Sequence, residues 1–92
     1  VPVIALAEVV EAAGVDSVSS DDEGGVGKIV EHLVGLGHRR IWFCESPTSG
    51  GNAERRRGFQ RALAERGLSD EACVIPAGST AEGGADAARF IL

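Results

Sequence analysis

The sequence predicts an α/β fold in three layers, a mainly parallel sheet flanked by helices. Short β-branched or aromatic runs alternate with segments whose apolar residues recur at helical spacing. The connections between them are short, an order that implies parallel strands with right-handed crossovers. The composition agrees: 43% hydrophobic residues with one Trp, three Phe and no Tyr or Met leave an aliphatic, alanine-based core of the kind helices form on a sheet. A chain of 92 residues has room for one small domain that buries only about 60–65% of its unfolded surface.

Taken in order, Pro2 opens a short buried strand at Val3-Ile4-Ala5-Leu6, part of a run that begins at Val1, and a brief connection, AEVVEAAG, leads to a second strand at Val15 to Ser20 with Gly14 marking the turn before it. Asp21 or Asp22 caps a helix running to about Leu36, in which Val26, Ile29, Val30 and Leu33 repeat at helical spacing. Gly37 ends that helix, because a residue without Cβ takes the left-handed conformation at no steric cost. Arg39 to Cys44 form the next strand, and the loop ESPTSGG follows it. A second helix spans about Asn52 to Arg66, with Phe59, Ala62 and Leu63 as its inner stripe and Gly67 as its stop. A strand at Ala72 to Pro76 comes next. The tail from Thr80 to Leu92 is again helical, entered by Ser79 or Thr80, with Ala85, Ala88 and Ile91 at apolar spacing.

Charge weighs against one class of function. The net charge is −5, and phosphate neutralisation requires clustered Lys and Arg, which argues against this segment binding nucleic acid through its own surface. The basic clusters are His38-Arg39-Arg40 and Arg55-Arg56-Arg57. The first occupies a helix-to-strand corner, at the amino end of its strand, whereas ligands of parallel α/β sheets sit outside the carboxyl ends. Its positive charge instead complements a helix C-terminus, worth about 0.3–1 kcal/mol per residue at most. Cys44 and Cys73 match no zinc spacing and no disulfide framework, which points to reduced thiols. No stretch approaches the roughly 18–20 apolar residues of a membrane span, and VPVIALAEVV lacks the charged start of a signal peptide. The chain starts without Met and ends on ADAARFIL, a helical pattern without a cap, the expectation for a piece of a longer protein.

Enzyme chemistry finds no support. Six strand residues at roughly 3.3 Å each put Cys44 about 20 Å from His38, too far for a nucleophile and its base. The Gly24-Gly25-Val26-Gly27-Lys28 run departs from the phosphate-binding loop twice, with Asp22 where that loop needs Gly and Ile29 where it needs Ser or Thr. The dinucleotide fingerprint fails at Val30, which stands where its third Gly would be. No cofactor or metal is expected.

The run VDSVSSDDEGGVGKIVEHLVGLGHRRIWF, followed by AERRRGFQRALAERGL, resembles the lactose/galactose-repressor family of bacterial transcription regulators over almost the whole chain. The resemblance rests on Asp21 and Gly25, on EHL with LGHRRI, and on Arg55 with Gly58-Phe59, in this order and spacing. It implies part of an effector-binding domain similar to type I periplasmic sugar-binding proteins, in which two subdomains close around a small molecule and so shift an attached DNA-reading helix-turn-helix domain, which is absent from this sequence. On that reading residues 1–14 are the end of the first subdomain and the crossover, and residues 15–92 the start of the second. The implied partners are a small-molecule effector, DNA only through that separate domain, and a second copy in a homodimer, in the cytoplasm and without a membrane. The alternative is an extracytoplasmic sugar-binding protein serving a transporter.

Candidate ligand residues follow at the carboxyl edge. Arg55 lies four positions before Phe59, so it shares the inward face of its helix while sitting in the first turn. A cation there opposes the helix dipole, and its planar five-donor fork suits hydroxyls or carboxylates. The resemblance assigns this Arg to effector contact; the alternative is a surface Arg paired with Glu54 or Glu45, while Arg56 and Arg57 are expected to be solvated. Asp21 can cap its helix and contact ligand. Glu45 and Ser46 stand where the family commonly has two small residues, so Glu45 either projects into the cleft or faces solvent. Ser49 and Asn52, on the loop with Gly50 and Gly51, are possible hydroxyl partners. The family often has Asp after its first strand here, where this chain has Ala7.

Overall fold

A computed structural model describes residues 2–7 and 11–92. The elements run β1 (Val3–Leu6), β2 (Val15–Val18), α1 (Asp22–Gly35), β3 (Ile41–Glu45), α2 (Asn52–Glu65), a single 3₁₀ turn (Ser69–Glu71), β4 (Ala72–Pro76) and α3 (Ala81–Ile91). The expected order of strands and helices is present. Val1 and part of the Ala7–Gly14 connection lie outside the described residues.

The strands form two parallel pairs instead of one sheet. In the first, β1 lies beside β2 with Val3 opposite Val15 and Leu6 opposite Val18. In the second, β3 lies beside β4 with Ile41 opposite Ala72 and Glu45 opposite Pro76. β2 therefore belongs with β1, and Ser19, Ser20 and Asp21 cross from one pair to the helix that packs on the other. The Cα radius of gyration is 15.5 Å, above the roughly 12–13 Å of a compact chain this long.

The core sits on one face of β3–β4. Val30 of α1, Ile41 of β3, Phe59, Ala62 and Leu63 of α2, and Leu68 are buried together, with Val26, Leu33, Val34, Phe43, Ala72 and Val74 packed around them. Phe43 and Phe59 stack with ring centroids 5.4 Å apart. Because side chains alternate across a strand, Trp42 points to the opposite face, where it meets Phe90 of α3 edge-on at 6.0 Å. Helices thus cover both faces of this pair, the three layers expected.

Local signals account for the helix ends. Asp21 accepts a hydrogen bond from the Gly24 N–H, and Thr80 accepts one from the Gly83 N–H, each satisfying a donor that has no partner within its helix. At the other end of α1, Gly37 has φ +97°, its N–H bonds to the Val34 carbonyl, and the His38 N–H bonds to Leu33. Gly67, φ +70°, closes α2 the same way, with Leu68 N–H bonded to Leu63. Both are Schellman motifs. The second also drops Leu68 onto Leu63, joining the cap to the core.

Three expectations about packing change. The strand anticipated over Arg39–Cys44 is displaced to Ile41–Glu45 because the Schellman turn takes His38 and leaves Arg39 and Arg40 exposed before the ladder begins. Ile29 is 60% exposed, since α1 turns Val26, Val30, Leu33 and Val34 toward the core. In α3 the buried position is Ala87, while Ala85 and Ala88 are exposed. One reason is Gly83, where an added Cβ would fall within 3.0 Å of the Ala77 backbone, so the helix approaches the sheet along the face that carries Gly83 and Ala87.

Candidate functional site

The carboxyl ends of β1 and β2 meet the start of α1 and the loop between β3 and α2 at a groove. Ala7 follows β1, Ser19 and Ser20 follow β2, and Gly50, Gly51, Glu54 and Asp22 supply the remaining wall, enclosing about 210 Å³. Ala7 has φ +70° and donates its N–H to the Val18 carbonyl, continuing the β1–β2 ladder into the lip of the groove. The chain presents no charged side chain from this position.

Arg55 occupies the first turn of α2 beside that groove and is half-exposed. Its partner is neither Glu54 nor Glu45 but Asp22, the first residue of α1, with Nε 3.4 Å from Oδ1. The Ser20 hydroxyl donates to the same oxygen at 3.1 Å. Gly51, in the left-handed conformation at φ +83°, makes the approach possible: a Cβ there would lie 2.5 Å from Asp22 Oδ2 and 3.2 Å from Arg55 Nη2. Asp21 is exposed, and its carboxylate caps α1.

A second polar cluster lies at the ends of β3 and β4. Asn52 Oδ1 accepts from the Ser46 N–H at 3.1 Å while its Nδ2 donates to Glu45 Oε2 at 3.2 Å. This bracing turns the loop over the strand end and fixes Glu45, which also lies 3.5 Å from Arg56 Nη1. Ser49 donates to Ser46 at 2.8 Å, and both hydroxyls hydrogen-bond Ser79, from the loop after β4. Arg56 and Arg57 are exposed yet paired, Arg57 with Glu23 at 3.9 Å and Glu54 at 3.7 Å. Ion pairs this exposed contribute little stability. Six predicted residues thus divide between two neighbouring sets: Arg55 and Asp21 beside the groove, and Glu45, Ser46, Ser49 and Asn52 in the serine cluster. Asp22 and Ser79 join them without having been anticipated as ligand residues; Asp22 was legible only as a possible cap.

Between α1 and α2, Glu23 lies 2.8 Å from Arg61 Nη2, although the N–H direction leaves its Oε1 without a hydrogen bond, and Glu31 lies 3.1 Å from Arg66. His38 is exposed at the far end of α1, and Arg40 there approaches Glu71 at 3.9 Å. That basic corner is a helix terminus. Among the described residues no group of His, Cys, Asp and Glu could hold a metal ion, and no helix is long and apolar enough to cross a membrane.

A parallel two-stranded pair that meets a three-layer parallel α/β unit at a polar groove places the chain in the class of parallel α/β folds. The comparisons give the class a family: this chain belongs to the family described as periplasmic binding proteins and sugar binding domain of LacI family, which matches residues 1–92. It is similar to a crystal structure of a LacI transcriptional regulator from a Rhodococcus species, with 37% sequence identity and a TM-score of 0.92 over 98% of this chain and 34% of that one. The chain therefore spans about a third of that regulator's length. A comparison with curated proteins finds no match.

Proposed function

We propose that this chain is the effector-sensing portion of a bacterial transcription regulator, which takes a sugar or related hydroxylated metabolite into the groove and thereby changes operator binding. One observation carries the reading: the groove is walled on one side by the carboxyl ends of β1 and β2 and on the other by the start of α1 and the loop and first turn that lead from β3 into α2, so a molecule in it touches both units. Its affinity then depends on how the two units are posed, and occupancy shifts that pose. Arg55 and the hydroxyls of Ser46, Ser49 and Asn52's amide are the donors and acceptors at this edge, and no bond is broken. The boundary between the two subdomains falls in this proposal at Ser19–Asp21, because β2 pairs with β1. The regulator works in the cytoplasm as a homodimer and meets DNA through a separate helix-turn-helix domain. The likeness to the Rhodococcus regulator supports this reading over solute delivery to a transporter.

The test is a thermal-shift screen of the full-length protein against sugars, nucleosides and amino acids, followed by operator-release titration with any hit. A ligand at a hundred times its Kd stabilises the native state by about 2.7 kcal/mol, well within reach of the assay. A hydroxylated hit that alters operator affinity is the expected outcome; hits that leave operator affinity unchanged, or no hydroxylated hit, would refute it.

A further inference from the structure

Resting on that reading of the groove, we infer that Asp22 is the residue that sets its charge selectivity: it holds Arg55 through Nε and cancels its charge, so that the groove excludes anionic ligands. Nε faces Asp22 Oδ1, and Nη2, on the same side-on edge of the guanidinium, passes over Gly51, a residue of the groove wall. That edge is turned to Asp22, so the carboxylate matches the positive charge there, and the outer edge with Nη1 keeps donors for hydroxyl oxygens. Asp22 itself is set by Ser20 Oγ at 3.1 Å and is well shielded, its side chain 19% exposed against 41% for Arg55. That shielding matters because a carboxylate in partial contact with solvent neutralises a neighbouring charge more effectively than one fully hydrated.

The surrounding charges act in the same direction. Among the described residues the cations at this edge are Arg55, Arg56 and Arg57, and Arg56 is already matched by Glu45 and Arg57 by Glu54. Asp21, Asp22, Glu45 and Glu54 stand near them, so the edge has a carboxylate excess. A phosphate or carboxylate brought to Arg55 must displace Asp22 or remain beside it, and like charges at that separation repel. An uncharged polyol meets neither obstacle. Asp22 is thus a positioning residue for Arg55 and a specificity residue for the groove.

Inorganic phosphate is a direct probe of this arrangement. Its binding to the full-length protein should be measured by calorimetry at constant ionic strength for the wild type, Asp22→Asn and the double variant Asp22→Asn with Arg55→Gln. Asp22→Asn keeps the shape and removes the charge, and should bind phosphate at least about tenfold more tightly than wild type, a difference of about 1.4 kcal/mol. The double variant should return to the wild-type level, because the gain belongs to the released Arg55; a role of Asp22 in helix stability alone would move neither. The inference is overturned if Asp22→Asn binds phosphate no better than wild type, or if its gain survives the loss of Arg55. A phosphate gain in a protein that answers to no hydroxylated effector would refute the sensor reading and leave the pairing standing, so the two failures are distinguishable.

Discussion

Gly58→Ala should destabilise the protein, although the same change at an exposed helix position stabilises one. Gly58 lies in α2 where it crosses α1, and a Cβ there would sit 2.2 Å from the Glu23 carbonyl oxygen, 3.0 Å from its carbonyl carbon and 3.1 Å from its Cα. All three atoms are backbone, so no side chain can swing aside. Ordinary carbon-to-oxygen contacts begin near about 3.3 Å, and the helices must part by about 1 Å to reach that. The movement would loosen the cluster of Val30, Phe59, Ala62 and Leu63 between them. Overpacking of this kind costs about 1–3 kcal/mol, offset by the roughly 0.5–1 kcal/mol that Ala gains over Gly inside a helix. Because only backbone can yield, the cost falls at the upper end, about 2–3 kcal/mol, and the expected net loss is about 1–2.5 kcal/mol, which lowers the urea midpoint by roughly 0.5–1.2 M at an m-value of about 2 kcal/mol/M. Gly27 and Gly84 are the internal controls: nothing lies within 4 Å of their added Cβ, so Gly27→Ala and Gly84→Ala should each raise stability by up to about 1 kcal/mol. Urea unfolding of the full-length protein compares the three variants. If Gly58→Ala unfolds at or above the wild-type midpoint, the helices are not in the contact described.

Arg55→Ala should weaken effector binding by roughly ten- to over a hundred-fold, the equivalent of about 1.5–3 kcal/mol for a lost charge-assisted bond. His38→Ala, at the opposite edge, should change it by less than about threefold, and calorimetry on both variants against the screened effector separates site from corner. Leu63 is fully buried, and Leu63→Ala should cost about 2–5 kcal/mol of stability, measured by the same urea titration; a loss below 1 kcal/mol would place Leu63 outside the core. Thr80→Ala removes the oxygen that accepts the Gly83 N–H and should cost about 1 kcal/mol, with amide exchange at Gly83 accelerating. The isolated 92-residue chain should self-associate, because Val3, Ile4, Leu6 and Val18 on a two-stranded pair are all about half exposed or more, and such a pair is marginal without cover. Light scattering at about 100 μM tests this, a concentration that populates micromolar contacts; a folded monomer there would contradict it.

What the sequence determined by itself was local. The two Gly stops, the Asp21 and Thr80 caps and the β3–α2–β4 alternation are each written within about five residues of the feature they produce, because a cap or a Schellman turn is a contact between near neighbours along the chain. Apolar spacing likewise made Phe59, Ala62 and Leu63 the inner stripe of α2. The same spacing could not choose between Ile29 and Val34 in α1, or between Ala85 and Ala87 in α3, since periodicity defines a stripe while the crossing partner decides which edge of it is covered. Pairing was decided in three dimensions as well: nothing within Val15–Val18 distinguishes β1 from β3 as its neighbour. The site shows the division most clearly. Arg55 could be placed at the carboxyl edge from its register with Phe59, but its carboxylate partner lies 33 positions away at Asp22, and Ser79 is 33 positions from Ser46. Those contacts exist only because α1 packs across α2 and β4 lies beside β3, so the charge balance of the groove is a property of the tertiary fold and has no signature in any single stretch of sequence.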